Sequence, residues 1–151
     1  METNKLKADF QLMGTTIIFL QVSNNFIHIE NLQELEKKFN VEYEILNITT
    51  DADNHFAKIQ IHINVQIDSA ESETMEVELI LEGAFIATSE MPVEVFKEFV
   101  NLNGCATLYS IARSIIISIT SQTCSGGQII LPMINLSKLE EKNPDDNDSK
   151  N

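Results

Sequence analysis

The chain has 151 residues, of which 43% are hydrophobic and 22% are charged. This length suits a single domain that buries its own core. The 23 acidic and 10 basic side chains give a formal charge of −13, which argues against binding nucleic-acid phosphates or docking on an anionic membrane surface. We therefore expect neither nucleic acid nor a membrane among the partners.

The ends of the chain and its cysteines indicate a cytoplasmic protein. The N-terminus leads into mixed polar residues rather than the apolar run of a signal peptide. No stretch approaches the roughly 18 apolar residues of a membrane span. If one helix joins Cys105 and Cys124, their Cα atoms lie about 28 Å apart, well beyond the roughly 7 Å that a disulfide tolerates. We expect reduced thiols and a cytoplasmic location.

The first third of the chain predicts two strands. An N-terminal strand is expected over about 9–22, with an interruption near Gly14. Residues 24–38 are less regular, and a capping pattern at Asn31 indicates one short helical turn. Apolar and polar residues then alternate over 39–45, which predicts a second strand.

Two further strands follow with clearer alternation. From Lys58 to Asp68 every second residue is Ile or Val, and the residues between them are polar or charged. Met75 to Glu82 repeats the pattern, except that Ile80 falls among the glutamates on the wet face. Because a short polar segment connects the two runs, they are predicted to form an antiparallel hairpin.

After Gly83 the apolar period changes to that of a helix. Pro92 suits the first turn of a helix, which we expect to end at Asn103-Gly104. A second helix is predicted over about 106–123. Residues 128–136 are predicted to be extended, and Pro132 argues against a central strand there. The apolar stripe of the second helix consists of Leu108, Ile111, Ala112, Ile115 and Ile119.

The order of elements defines the fold class. Strands followed by helices indicate an α+β fold, with a four-stranded antiparallel sheet packed on one face by helices. We expect this domain to occupy residues 1–139. Residues 140–151 are polar and acidic and are predicted to be a disordered tail.

The sequence shows little sign of catalytic chemistry. Its histidines do not lie at metal-ligand spacing, and no lysine of a phosphate loop follows Gly126-Gly127. Glu76, Glu78 and Glu82 share one strand face, which is more typical of a charged outer sheet surface than of an acid–base pair. We therefore expect no enzymatic activity, no metal site and no cofactor.

Three segments, taken in order, resemble a known family. They are Glu82–Phe85, Leu108–Arg113 and Ile130–Leu136, and Phe10–Leu12 is similar to that family's first strand. In the SecB export chaperones a Glu-Gly-x-Phe ends the last strand, and the next helix carries Leu-Phe-Pro-Tyr-Ala-Arg. A Leu-x-x-Pro-x-Asn-Phe-like segment follows. The resemblance to this family covers roughly residues 9–139.

The residues of these segments also have physical roles of their own. Gly83 would let the chain leave the sheet without a Cβ clash, and Phe85 would then turn toward the helices. The stem of Arg113 can pack beside an apolar stripe while its head binds carbonyl groups or a carboxylate.

The resemblance implies an ATP-independent chaperone that holds unfolded or extended polypeptides. It implies a homo-oligomer, assembled as a dimer of dimers into a homotetramer, with apolar grooves in which many weak contacts add through avidity. The candidate client-binding residues are apolar or aromatic positions near the crossover after the first strand and on the second helix: Phe26, Ile27, Ile29, Leu32, Tyr43 and Tyr109.

Two departures from the family pattern leave alternatives open. Ser110-Ile111 stands where the family has Pro-Tyr, and residues 18–24 lack the acidic side chains with which many export members dock the translocase motor SecA. Docking to SecA, and hence a role in preprotein export, is therefore doubtful. One alternative is a dedicated chaperone or adaptor for a single partner such as an antitoxin. Another is a small-ligand-binding α+β domain with a closed, polar-lined pocket.

Overall fold

The computed structural model describes residues 8–25, 35–68, 74–124 and 127–136. They form one four-stranded antiparallel sheet in the order β1-β4-β3-β2 and one long helix, which confirms the predicted α+β fold. The elements are β1 (Phe10–Asn24), β2 (Lys37–Thr50), β3 (Asn54–Asp68), β4 (Thr74–Thr88), α1 (Val93–Phe99), a π-helical segment (Val100–Gly104) and α2 (Cys105–Thr123).

The two central strands carry the core, as their alternation predicts. On the helix side of β3, the residues from Ile59 to Ile67 are fully buried at every second position. Met75, Val77, Leu79 and Leu81 of β4 are buried beside them. Each such side chain contributes about 1.5–3 kcal/mol by leaving water. Strict alternation at these positions therefore fixes the register of the sheet.

Two residues of β1 have no pairing partner on β4. At each of them the alternation of side chains between the two faces of the sheet shifts by one residue. Leu12 pairs with Phe85 and Gly14 with Ala84, so Met13 has no partner of its own. Ile18 is the second extra residue. These β-bulges explain why the sequence of β1 shows no clean alternation.

The helix does not end at Asn103-Gly104, so that prediction is wrong. Gly104 has ordinary right-handed helical torsion angles, and the chain passes through a π-helical segment into α2. A Cβ at Gly104 would lie 2.6 Å from Cδ1 of Ile59. The glycine therefore lets the helix pack closely on the sheet and does not end the helix.

Gly83 has a similar role, which also differs from the prediction. Strand β4 continues to Thr88, so the chain does not leave the sheet at Gly83. A Cβ there would lie 2.5 Å from Cδ2 of Leu108, whose side chain is fully buried. The missing Cβ makes room for α2 on the sheet.

Residues 127–136 pack along one side of α2. The backbone N–H of Ile129 donates to Oγ1 of Thr120 at 2.9 Å. Nε of Arg113 donates to the carbonyl oxygen of Leu131 at 3.1 Å. The hydroxyl of Tyr109 donates to the carbonyl oxygen of Pro132. The prediction that Arg113 binds carbonyl groups is confirmed, and Ile129 and Leu131 are buried as this segment closes the core.

A buried histidine joins three elements at one end of the sheet. His55 Nε2 lies 2.6 Å from the carbonyl oxygen of Met91, and Nδ1 lies 2.7 Å from Oγ1 of Thr50. Because a carbonyl oxygen only accepts, Nε2 carries a proton. The imidazole also stacks on Phe96 with 5.2 Å between ring centroids, so this histidine is part of the core.

Among the described residues, the helix Val93–Thr123 is long and apolar enough to cross a membrane by length and composition. The expectation that no stretch approaches a span was therefore too strong. One third of the helix's most apolar window is buried inside the protein.

The turn between β2 and β3 makes stability depend on pH. Oδ1 of Asp51 accepts hydrogen bonds from the backbone N–H groups of Asp53 at 2.8 Å and Asn54 at 2.7 Å. These bonds lower the pKa of Asp51 below its usual 3.8. Because the folded-state pKa is depressed, this stabilisation is present above the unfolded-state pKa and is lost as the pH falls through the folded-state pKa.

We expect Asp51→Ala to destabilise the protein at neutral pH, with the difference from wild type shrinking below about pH 4. Urea unfolding at several pH values measures this. Asp53→Ala is the control, since its carboxylate accepts no hydrogen bond in the described part of the chain. A difference for Asp51→Ala that does not change with pH would contradict the prediction.

Candidate functional site

Strand β1 exposes an unusual amount of apolar surface. It lies at the edge of the sheet, and β4 is its pairing partner among the described strands. Met13 is 59% exposed, Ile18 49%, Ile17 46% and Phe19 41%. Ile17 lies on the helix side and Phe19 on the outer face, since they pair with Leu81 and Ile80 respectively. The strand is thus apolar on both faces.

A trough between α2 and β1 continues this surface. A helix is about 10–12 Å wide and strands lie about 4.8 Å apart, so α2 covers roughly two strands. It packs on β3 and β4 and leaves the helix side of β1 open. The trough has a volume of about 580 Å³, is open to solvent, and is lined by Leu20, Ser110, Ile111, Ser114, Ile115, Ser118, Ile119 and Gln122.

The opposite side of α2 is closed. Tyr109, Arg113 and Thr120 bind residues 127–136 there, whereas Ile111 and Ile115 line the trough. These two sets lie on different sides of a helix with 3.6 residues per turn. The predicted apolar stripe of α2 is therefore split, because Leu108 and Ala112 are buried while Ile111, Ile115 and Ile119 are only half-buried.

The combined surface carries no charge. Strand β1 contains no acidic or basic residue over its 15 positions, and none lines the trough, although the chain has a formal charge of −13. Natural edge strands usually carry charged residues or proline that prevent association with other strands. An exposed, apolar and uncharged edge beside an open trough is typical of a surface that binds another polypeptide. We name it the β1–α2 surface.

The outer face of β3 and β4 carries a row of polar side chains that pair with one another. Side-chain amides of Gln60 and Asn64 donate to Glu82 and Glu76. His62 Nε2 lies 2.9 Å from Oε1 of Glu78. These contacts stabilise neighbouring strands, and the glutamates are spread along a solvated surface. Among the described residues no group of three or more potential ligands could hold a metal ion.

Two of the predicted groove residues can be placed, and both rings lie in the core. Tyr43 is 7% exposed and Tyr109 is 5% exposed. The hydroxyl of Tyr43 donates to Oδ1 of Asn101 at 2.7 Å. Burial raises the pKa of Tyr109, and nearby Arg113 lowers it by a smaller amount. The other four, Phe26, Ile27, Ile29 and Leu32, lie outside the described residues, so the groove stays a prediction.

Neither cysteine forms a disulfide, and both side chains are buried. Sγ of Cys124 lies 3.8 Å from Sδ of Met75. Burial raises the pKa of Cys124, which outweighs the opposite effect of its contact with Thr123. A raised thiol pKa lowers the thiolate fraction, so Cys124 is suited to packing rather than to nucleophilic chemistry.

Sequence reasoning missed the β1–α2 surface, although a signal was present. The region from Phe10 to Asn24 is free of charged residues in a strongly acidic chain. Its last part, residues 18–24, is where the acidic side chains for docking SecA are absent. The region also marks an edge strand that is not protected against association.

Comparison with known proteins identifies a solved structure with a similar fold. No protein-family model matches the chain, and no curated protein matches it by sequence. Among solved structures it resembles the Mycobacterium tuberculosis Rv1957 SecB-like chaperone in complex with a ChAD peptide from the Rv1956 HigA1 antitoxin. The TM-score is 0.57 at 14% identity, over 87% of this chain and 95% of that one.

A protein of unknown function from Streptococcus agalactiae superposes with a TM-score of 0.40 at 14% identity. That match covers 82% of this chain and 97% of the other. From the likeness to Rv1957 we conclude that this chain has a SecB-like fold.

Proposed function

We propose that this protein is an ATP-independent molecular chaperone, a holdase that binds unfolded or non-native polypeptides. The observation that carries the proposal is the β1–α2 surface, which leaves apolar side chains exposed on a strand edge and in an open trough. Burying such surface against another chain is favourable without any energy-consuming step. The fold adds support, because a similar chaperone is seen with a bound antitoxin peptide.

The same surface supports assembly into a homo-oligomer, with a dimer of dimers as the expected state. Two copies of β1 can pair antiparallel about a two-fold axis, since an edge strand is self-complementary in that arrangement. The exposed Ser110, Ser114 and Ser118 lie one turn apart on α2, and small side chains let two helices approach closely. The edge and the helix thus offer two different interfaces, as a homotetramer requires.

Self-association through β1 would cover part of the β1–α2 surface, and the client groove would then combine the part that stays open with the crossover after β1. We propose that Phe26, Ile27, Ile29 and Leu32 contact clients there, with Tyr43 and Tyr109 supporting the groove from the core. The acidic tail over residues 140–151 and a cytoplasmic location remain part of the proposal. The formal charge of −13 supports partners that are neither nucleic acid nor membrane.

We expect a variant with Phe26, Ile27, Ile29 and Leu32 all replaced by Ser to lose client binding while it keeps its fold. Removing four apolar contacts of about 1 kcal/mol or more each weakens association at least 100-fold. Isothermal titration with an unfolded client measures the loss, and circular dichroism checks the fold. Replacing Val93 and Leu102, which are exposed and line neither the trough nor a second cavity at the start of β1, by Ser is the control. Unchanged affinity in the crossover variant would place the groove elsewhere.

The holdase proposal is tested by aggregation of several unrelated unfolded clients, with and without stoichiometric protein and without ATP. Suppression for all of them is the expected result. Suppression for none would overturn a general holdase.

Two alternatives make different predictions in that assay. A dedicated chaperone or adaptor would protect one partner only, and the antitoxin peptide held by the similar chaperone supports this reading. A small-ligand-binding domain would protect none. The trough beside α2 is open and apolar rather than closed and polar, which favours a polypeptide. Residues 18–24 lack acidic side chains, which argues against docking of SecA and a role in export.

A further inference from the structure

A second cavity lies at the α1 end of β1 and differs chemically from the trough. It has a volume of about 550 Å³ and is lined by residues from the start of β1, the end of β4 and helix α1. Phe10 and Phe99 line it, with 5.6 Å between their ring centroids, and Val95 adds a half-exposed aliphatic wall. We name it the end pocket.

Two carboxylates, Asp9 and Glu90, also line the end pocket. Neither forms an ion pair within the described part of the chain. The nearest lysine on α1, Lys97, lies 3.5 Å from Glu94 and does not line the cavity. The first-turn amides of α1 contribute a partial positive charge of about one half, which is smaller than two full negative charges. The cavity thus has two carboxylates and two aromatic rings among its lining residues.

A cavity with both carboxylates and apolar walls favours a long apolar side chain that ends in a positive charge. Phe10 is stacked between Phe85 and Phe99, so these rings act as apolar walls. The apolar stem of Lys or Arg packs on such walls while its head reaches carboxylates. We propose that the end pocket binds a lysine or arginine side chain of a bound polypeptide, with Asp9 and Glu90 as the residues that determine this specificity. The inference rests on the proposed holdase function.

The test uses a short labelled peptide rich in Leu and Val with one lysine, and the same peptide with that lysine acetylated. Acetylation removes the charge but keeps the stem. Fluorescence anisotropy is expected to show roughly 2- to 30-fold tighter binding of the lysine form, as two exposed ion pairs would give. In the double variant Asp9→Asn, Glu90→Gln this preference disappears. The lysine peptide is also expected to shift the Val95 methyl and Phe99 ring resonances in NMR spectra.

A matched control separates local from long-range electrostatics. The variant Glu94→Gln, Glu98→Gln changes the net charge equally on α1 but outside the end pocket, and it should keep the preference. Equal binding of both peptides to wild type, or loss of the preference in this control, would overturn the end-pocket inference and leave the holdase proposal intact. If neither peptide binds and no client is protected from aggregation, both the end-pocket inference and the holdase proposal are wrong.

Discussion

Gly83→Val is expected to destabilise the protein by about 2–3 kcal/mol, the upper range for overpacking a filled core. The Cβ alone would lie 2.5 Å from Cδ2 of Leu108 and 3.2 Å from Cε2 of Phe85. Both side chains are buried, so neither can move into open space. Relief requires α2 to move away from the sheet, which weakens helix–sheet packing along its length.

Gly14→Val is the matched control for this substitution. Gly14 also lies in the sheet, but a Cβ there would meet nothing within 4 Å, so we expect little change or a small gain from the preference of valine for strands. Urea unfolding at equal protein concentration compares the two, because self-association would otherwise change the apparent stability. Equal stability of the two variants would show that the sheet and α2 are not in close contact at Gly83.

Ile17→Glu is expected to weaken self-association by at least tenfold. Ile17 is half-exposed on the helix side of the β1 edge, where a second copy would cover it. Burying a carboxylate without a partner costs more than the 1.4 kcal/mol or so that corresponds to tenfold in affinity. Each two-fold contact contains the substitution twice. Sedimentation velocity over a concentration series should show smaller species than wild type.

Thr16→Glu is the control for Ile17→Glu. It adds the same charge to the neighbouring residue, whose side chain faces outward because Thr16 pairs with Glu82. A smaller effect than that of Ile17→Glu is expected, since the outer face stays in water when edges pair. If wild type is monomeric at every concentration tested, or if both variants dissociate it equally, the assembly proposed for β1 is wrong.

The sequence predicts the central strands better than the edge strand for a physical reason. Residues of β3 and β4 are covered on one face along their whole length, so alternation from Ile59 to Ile67 is strict. Strand β1 is exposed on both faces and has two bulges, so its apolar residues follow no single period. Its existence was predictable, but the side on which each residue lies was not.

The helices illustrate another limit of sequence patterns. Asn-Gly is a common helix stop, but Gly104 lies inside a continuous helix. A glycine is needed because a Cβ there would lie 2.6 Å from Cδ1 of Ile59. Likewise, Ile111 and Ile115 have core-like spacing but face the trough, since one helix cannot cover four strands. Such distinctions depend on tertiary contacts that a linear pattern does not contain.

The two extra residues of β1 also affect which strands can add to its free edge. Each bulge interrupts the spacing of outward backbone groups, so a regular strand cannot hydrogen-bond along the whole edge. The regular stretch between the bulges, Gly14 to Ile17, holds four residues. A second strand can therefore pair with this edge over a short stretch only, and the edge resists the open-ended strand addition that leads to fibrils.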